Sequence, residues 1–241
     1  MKIAIVGTGK MGQVIEGIAT SRGHEIVLRA NSKHPLSVDK LQESEADVAI
    51  EFTQPESAVK NIFTCFDAGV PVVTGTTGWF NRFNEVKGRC EQEQQCLFHA
   101  SNFSIGVNLF FEVNKQLARL MNDHDAYEPE ILEIHHTEKK DAPSGTAITT
   151  AEGILYELQR KDSWINDTEG QDSELCIESQ RLPGVPGTHR VTYQSADDVL
   201  VLEHEAKGRN GFALGAVKAA EWARDKRGVF TMKDMLGIGQ D

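Results

Sequence analysis

The sequence predicts an α/β protein: an N-terminal domain built on a doubly wound parallel sheet, followed by an α+β domain with an open mixed sheet. Three observations carry this expectation. Apolar strand-like runs alternate with helix-spaced segments through the first hundred residues, the order that builds a parallel sheet with helices on its faces. The glycine turn "GTGKMG", Gly7 to Gly12, follows the first of these runs directly and opens a helix. From Ile105 the order changes, and three strand patterns come in succession near the end of the region.

The elements follow in order. "KIAIV" is a short aliphatic strand, and Lys10 to about Ser21 has the apolar spacing of a helix. "EIVL" and "ADVAIEF" are the next strands, followed by a helix from Glu56 to Ala68, the strand "PVVTG", a helix from Phe80 to about Glu93 and the strand "CLFHA". A helix starts at Ile105, and Glu130 to His136 alternates apolar and polar residues as a strand does. "GTAITTAEGILYELQ" from Gly145 is spaced as a helix, and a polar loop is expected over Lys161 to Ser173. "ELCIESQRL", "THRVTYQS" and "DVLVLEHEA" then read as three strands. The last segment predicts an amphipathic helix ended near Gly228 and a short terminal helix, returning to the first domain. The expected division is therefore 1–104 completed by 214–241, with 105–213 as the second domain. No internal repeat or low-complexity tract interrupts it.

Composition narrows the function. The chain has 241 residues, 39% hydrophobic and 25% charged, as ordinary globular proteins do. Its net charge of −11 argues against a nucleic-acid surface or an anionic membrane, both of which would repel it. No apolar run reaches the roughly 20 residues of a membrane span, and the N-terminus has no secretory pattern, so the cytoplasm is the expected location. Cys65, Cys90, Cys96 and Cys176 lack CxxC spacing and read as small buried apolar residues rather than ligands.

Chemistry concentrates in a few stretches. In its strand-to-helix context "GTGKMG" is a dinucleotide fingerprint: glycines let backbone approach a pyrophosphate at a helix N-terminus. Gly7, Thr8, Gly9, Lys10, Met11 and Gly12 are its candidate contacts. "GTTG", with Gly75, Thr76 and Thr77, and "ASNFSIG", with Ala100, Ser101, Asn102 and Phe103, each follow a strand. Both fall where open α/β sheets bind ligands, beside the nicotinamide, although each also reads as a simple turn. "EIHHTEKKDAPSGTA", Glu133 to Ala147, sets His135, His136, Lys139, Lys140 and Asp141 ahead of a Ser-Gly-Thr turn. Ser144 is placed to cap the following helix, and the Gly145 and Thr146 amides are then free to hold a carboxylate, with Lys139 completing an anion clamp. Adjacent histidines point to opposite faces of a strand, so the spacing is poor for a metal and none is expected. A single inward, hydrogen-bonded structural histidine is the plainer alternative, and His24, His34, His99, His124, His189 and His204 read as surface or structural.

The stretches "GTGKMG", "GTTG", "SNFSIGVN", "EIHHTEKKDAPSGTA" and "GRNGFALGAVKAAEW" occur in the order found in the 4-hydroxy-tetrahydrodipicolinate (dihydrodipicolinate) reductase family, and the sequence resembles that family over nearly its whole length. The resemblance implies a Rossmann-like domain, a substrate and tetramerisation domain, and NAD(P)H-dependent reduction in diaminopimelate and lysine biosynthesis by a homotetramer. It implies that His135 is the general acid/base residue and Lys139 the proton donor and substrate contact. His136, Ser144, Gly145 and Thr146 are the implied substrate binders, and Arg209 the arginine that approaches as the domains close, near the cofactor. Three stretches depart from the family's usual pattern: Thr137-Glu138 where basic residues are common, Pro183 and Pro186 in the loop "RLPGVPGTH", and Asn31 where an acidic residue usually meets the ribose.

The expected chemistry agrees. Hydride addition to a conjugated cyclic imine builds negative charge on the ring nitrogen, which a nearby proton-donating cation stabilises, and the two ring carboxylates need amides and cations. Asn31, 19 residues beyond Gly12, does not repel a 2′-phosphate, while Lys33, and Arg29 behind it, offer positive charge. Both NADPH and NADH are therefore expected to serve, with NADPH favoured. A semialdehyde dehydrogenase would need a cysteine in "GTTG" or "ASNFSIG", which have none. A nucleotide sensor would have no use for a histidine, a lysine and an anion nest on one turn.

Overall fold

In β1 (Lys2–Val6) every residue from Ile3 to Val6 is buried, as suits the centre of a parallel sheet covered on both faces. The computed structural model describes residues 1–239. After β1 come α1 (Lys10–Ser21), β2 (Glu25–Ala30), α2 (Val38–Ser44), β3 (Val48–Glu51), α3 (Pro55–Asp67), β4 (Val72–Thr74), a single 3-10 turn (Phe80–Arg82), α4 (Phe83–Gln92) and β5 (Cys96–His99). Next are α5 (Ile105–Met121), β6 (Glu128–His135), α6 (Gly145–Glu157), β7 (Ser163–Ile165), β8 (Glu174–Arg181), β9 (Thr188–Gln194) and β10 (Val199–Glu205). The chain ends with α7 (Asn210–Ala223), β11 (Gly228–Phe230) and α8 (Met232–Leu236).

One unit comprises Met1–Ile105 and the segment from Arg209 on; Gly106–Gly208 form the other. In the first, six parallel strands take the order β11-β5-β4-β3-β1-β2. One apolar cluster joins Ile3, Ile5 and Val73 to Ile15 of α1 and to the small residues of α7. A second joins Ala4, Val72 and Leu97 to α2, α3 and α4. The sheet is thus doubly wound. Alanines and a glycine let α7 approach closely: a Cβ at Gly215 would lie 1.7 Å from the Phe103 carbonyl oxygen.

The second unit has a mixed sheet in the order β10-β9-β6-β8-β7, with β6 antiparallel to β9 and parallel to β8. Its core sets Ile131, Leu175, Ile177, Val191 and Tyr193 of the sheet against Phe110 and Ala118 of α5 and Ala147, Ala151 and Ile154 of α6. Pro129, Ile131, Glu133 and His135 share the buried face of β6 at period two. That face is apolar at its start and ionisable at its end, beside the turn that leads into α6.

Three elements go beyond the sequence expectation. α2 buries only Leu41, which leaves no periodic signal. β7 lies inside the expected polar loop and exists through its pairing with β8, and β11 exists through its pairing with β5. The passages between units fall at Ile105/Gly106 and Gly208/Arg209, against 104/105 and 213/214 expected, because α7 begins at Asn210 and packs as one helix within the first unit.

Candidate active site

The fingerprint glycines divide into two kinds. Gly7 has φ +106°, and a Cβ there would lie 2.0 Å from the Phe52 carbonyl oxygen; at Gly12 it would lie 1.9 Å from the Gly7 carbonyl oxygen. These two make the turn possible. Gly9, the N-cap of α1, has nothing within 4 Å of a Cβ position and no side-chain cap. The N-terminus of α1 thus has no side-chain cap and open space at Gly9, which suits an approaching phosphate. A cleft of about 310 Å³ adjoins this turn, lined by Gly7, Gly9, Asn31, Ser32, Leu36 and Lys60 among others. A dinucleotide suits these residues.

Asn31 is engaged in its own loop. Its Oδ1 accepts from the Lys33 and His34 amides, 3.0 Å each, and its Nδ2 donates to Thr8 Oγ1 at 3.1 Å. Lys33 and Arg29 are both exposed, but Arg29 forks onto Glu16, with Nη2 to Oε1 at 2.7 Å. Among the described residues no ion pair is found for Lys33, which follows Ser32 of the cleft lining. Lys10 is exposed at the start of α1, and Met11 packs against the sheet.

The two later loops are partly structural. Thr76 is buried; its Oγ1 accepts from the Thr53 amide at 2.8 Å and its carbonyl from Trp79 Nε1 at 2.8 Å. A Cβ at Gly75 would meet the Phe52 ring at 2.2 Å, so that glycine is set by packing. Thr77 is exposed. Phe103 is 2% exposed and lies against Phe98 and Phe52, so its ring is core, while Asn102 Oδ1 accepts from the Ser104 amide at 2.9 Å. Ala100 donates to the Thr74 carbonyl, Ser101 is exposed, and Arg209 precedes α7 in the first unit.

In the second unit, His135, Lys139, Ser144, Gly145 and Thr146 gather around one turn. Ser144 is the N-cap of α6; its Oγ accepts from the Ala147 amide at 3.1 Å. Among the described residues no acceptor is found for the Gly145 and Thr146 amides, which leaves two donors at a helix N-terminus. Lys139 Nζ forks onto Asp141 at 2.9 and 2.8 Å, and its amide donates to the His136 carbonyl. Lys139 holds the Asp141 carboxyl below its usual range, chiefly by this hydrogen bond. His136, half-buried beyond the strand end, pairs with Glu138 at 3.1 Å.

Sequence reasoning missed three residues here. Glu133, fully buried, pairs through Oε2 with His135 Nδ1, and its Oε1 accepts from Arg181 Nη2 at 2.8 Å and from the Ser144 amide at 3.3 Å. Burial pushes this carboxyl up, but hydrogen bonds from His135, Arg181 and Ser179 outweigh burial and hold it at about 2. Arg181 Nη2 also donates to the Asp141 carbonyl at 2.6 Å. His189, read from sequence as surface or structural, is 4% exposed; its Nε2 lies 3.1 Å from Ser144 Oγ and its ring stands edge-on to His135 at 5.0 Å. Burial first, then the neighbouring His135, push its pKa down to about 3. Only the parity of Glu133 with His135 was visible in the sequence.

Glu133, His135 and His189 bring three ligand-type atoms within 4.8 Å of one another. The carboxylate, however, already serves His135, Arg181 and the Ser144 amide, and a divalent ion would lie beside the Arg181 cation. The arrangement is a hydrogen-bonded network. The loop between β8 and β9 closes over it: Leu182 donates to the His135 carbonyl at 2.8 Å, and a Cβ at Gly187 would lie 3.1 Å from His135 Nε2.

A doubly wound sheet with an open glycine turn, joined in one chain to a histidine-lysine-amide site, defines a class: an oxidoreductase that draws reducing equivalents from a nicotinamide dinucleotide. Comparison with known proteins narrows it. The family model described as dihydrodipicolinate reductase, N-terminus, matches residues 1–103, and the one described as dihydrodipicolinate reductase, C-terminus, matches 106–236. The 4-hydroxy-tetrahydrodipicolinate reductase of Christiangramia forsetii is 48% identical over 98% of both chains, and that of Chromobacterium violaceum is 36% identical over 98% of both. A dipicolinate-bound dihydrodipicolinate reductase from Paenisporosarcina sp. TG-14 shares the fold with TM-score 0.78 at 24% identity, covering 96% of this chain and 97% of that one. An amine dehydrogenase from Mycobacterium smegmatis follows at TM-score 0.63 and 11% identity, covering 96% and 95%. The chain belongs to the dihydrodipicolinate reductase family, reductases of lysine and diaminopimelate biosynthesis.

Proposed function

We propose that this chain reduces 4-hydroxy-tetrahydrodipicolinate to tetrahydrodipicolinate, using NADPH in preference to NADH. One hydride and one proton enter the ring system and the 4-hydroxyl leaves as water. The observation that carries this reading is the turn of the second unit, where His135, Lys139 and the Gly145 and Thr146 amides converge. A planar ring with two carboxylates needs such a nest for its charges, and His136 and Ser144 flank it. When bound, the nicotinamide supplies the hydride, and Gly7 to Gly12, Asn31, Gly75 to Thr77 and Ala100 to Phe103 are the residues that would hold it.

Lys139 is the proton donor in this reading. Its ammonium ion stabilises negative charge developing on the ring nitrogen and then gives up a proton to it, while Asp141 holds the side chain ready. His135 moves a proton at Nε2, the ring atom facing Gly187, since Nδ1 is committed to Glu133. The NADPH preference rests on Lys33, exposed in the loop that follows Asn31 and Ser32 of the cleft lining, where Asn31 brings no negative charge.

A homotetramer in the cytoplasm completes the proposal. Val199, Leu200 and Val201 are 53%, 38% and 53% exposed on β10, the edge of the mixed sheet, an apolar surface that suits assembly. The four cysteines are free, which suits a reducing compartment. The test is a coupled assay with dihydrodipicolinate synthase, pyruvate and aspartate semialdehyde, following loss of reduced nicotinamide. Oxidation that depends on the synthase is expected. Oxidation that proceeds without it, or none at all, would refute the reading.

A further inference from the structure

Glu133 is a fully buried carboxylate in the middle of a sheet, a position that costs several kcal/mol unless every lone pair is used. Here each oxygen has its own task. Oε2 meets His135 Nδ1, two residues on along the same face of β6. Oε1 takes the Ser144 amide, the last residue before the free amides of α6, together with Arg181 Nη2. Arg181 stands opposite His135 in the parallel register of β6 and β8, and from there it also holds the Asp141 carbonyl in the turn that carries Lys139. One side chain therefore reaches His135, the Ser144 amide and, through Arg181, the Asp141 carbonyl of the turn.

We propose that Glu133 is the positioning residue of this site: it fixes the Nδ1–H tautomer of His135, leaving Nε2 as the working atom, and locks the anion-binding turn to the same strand. The inference rests on the function proposed above for His135 and the turn. A carboxylate accepts hydrogen bonds only, so a neutral His135 facing it must carry its proton on Nδ1. The groups around His135 are Glu133 on β6, Arg181 on β8, His189 on β9, and Lys139 and Asp141 in the turn. His189, buried and held neutral, adds no charge there, and its Nε2 lies within hydrogen-bond reach of the capping Ser144 hydroxyl at 3.1 Å. Among the described residues, the negative charge paired with the imidazole is that of Glu133, while Asp141 is tied to Lys139.

Glu133→Gln separates the two tasks. The amide oxygen can still accept from Ser144 and Arg181, but the charge beside His135 is gone and the amide nitrogen can turn the ring to its other tautomer. The expected result is turnover at least about 10-fold lower with an unchanged KM for the nicotinamide. The ring ¹⁵N shifts of His135 should report a different tautomer in Glu133→Gln than in the wild-type enzyme. Affinity for pyridine-2,6-dicarboxylate should stay within a few fold in Glu133→Gln and fall at least about 10-fold in Glu133→Ala, which frees the turn. Glu133→Gln with wild-type turnover and unchanged His135 ring ¹⁵N shifts would overturn the proposal. Should the variants not fold, ring ¹⁵N shifts of His135 in the wild-type enzyme decide it, with His135→Gln giving the assignment: a neutral ring protonated on Nδ1 is expected, and one protonated on Nε2 would overturn it. That spectrum needs no turnover, so failure of the substrate assignment is distinguishable from failure of this one.

Discussion

At the scale of single residues, the site turns on which atoms are already committed. His135 has Nδ1 committed to Glu133 and keeps Nε2, so His135→Gln should flatten the pH-rate limb that reports the acid; an unchanged profile would make His135 structural. Ser144 caps α6 and meets His189, so Ser144→Ala should cost about 1 kcal/mol of stability from the cap and weaken pyridine-2,6-dicarboxylate, as thermal melting and competition would show. The residues proposed to touch the reaction were legible because their types and spacing are local: two histidines, a lysine and a Ser-Gly-Thr turn lie within a dozen positions. Their supports were not. Arg181 lies 48 residues from Glu133, and only the pairing of β6 with β8 brings them together.

Among the elements, the strand-turn-helix of β1 and α1 makes the sharpest distinction between fold and function. Gly12→Ala would drive a methyl group into the Gly7 carbonyl and should destabilise the first unit by several kcal/mol, whereas Gly9→Ala meets no protein atom and should leave the melting temperature within a degree or two. Gly9→Ala should nevertheless weaken nicotinamide binding, because the added methyl occupies the space a phosphate needs; a variant that binds as tightly as wild type would place the phosphates elsewhere. The β2 to α2 loop is where the proposed cofactor preference is tested. Lys33→Glu should shift the ratio of kcat/KM from NADPH toward NADH, and a ratio that does not respond would remove Lys33 from recognition. Parallel strands buried on both faces announce themselves as unbroken apolar runs, which is why β1, β3 and β4 were readable. The three-residue β7 and β11 carry no such signal, since their partners, not their own sequence, make them strands.

For the whole molecule, acidity and assembly are the accessible variables. His189 is held down at about 3 in the fold against an ordinary value of 6.5, so the unfolded chain binds the extra proton as pH falls below 6.5 and stability declines from there. Glu133, held at about 2 against 4.5, contributes stability above pH 4.5, on the order of 3 kcal/mol, that is lost as pH falls toward 2. Melting temperature should therefore fall in two overlapping stages on acidification, and His189→Gln should remove the earlier one. If β10 is the assembly surface, Val201→Lys should convert the tetramer to smaller species in sedimentation. Lys139 is proposed to deliver the proton that completes ring reduction while the dinucleotide is bound by residues of its own. The most direct test measures turnover and nicotinamide affinity together in Lys139→Met. Turnover at least about 100-fold lower with nicotinamide affinity unchanged is the predicted result, and near wild-type turnover would contradict it.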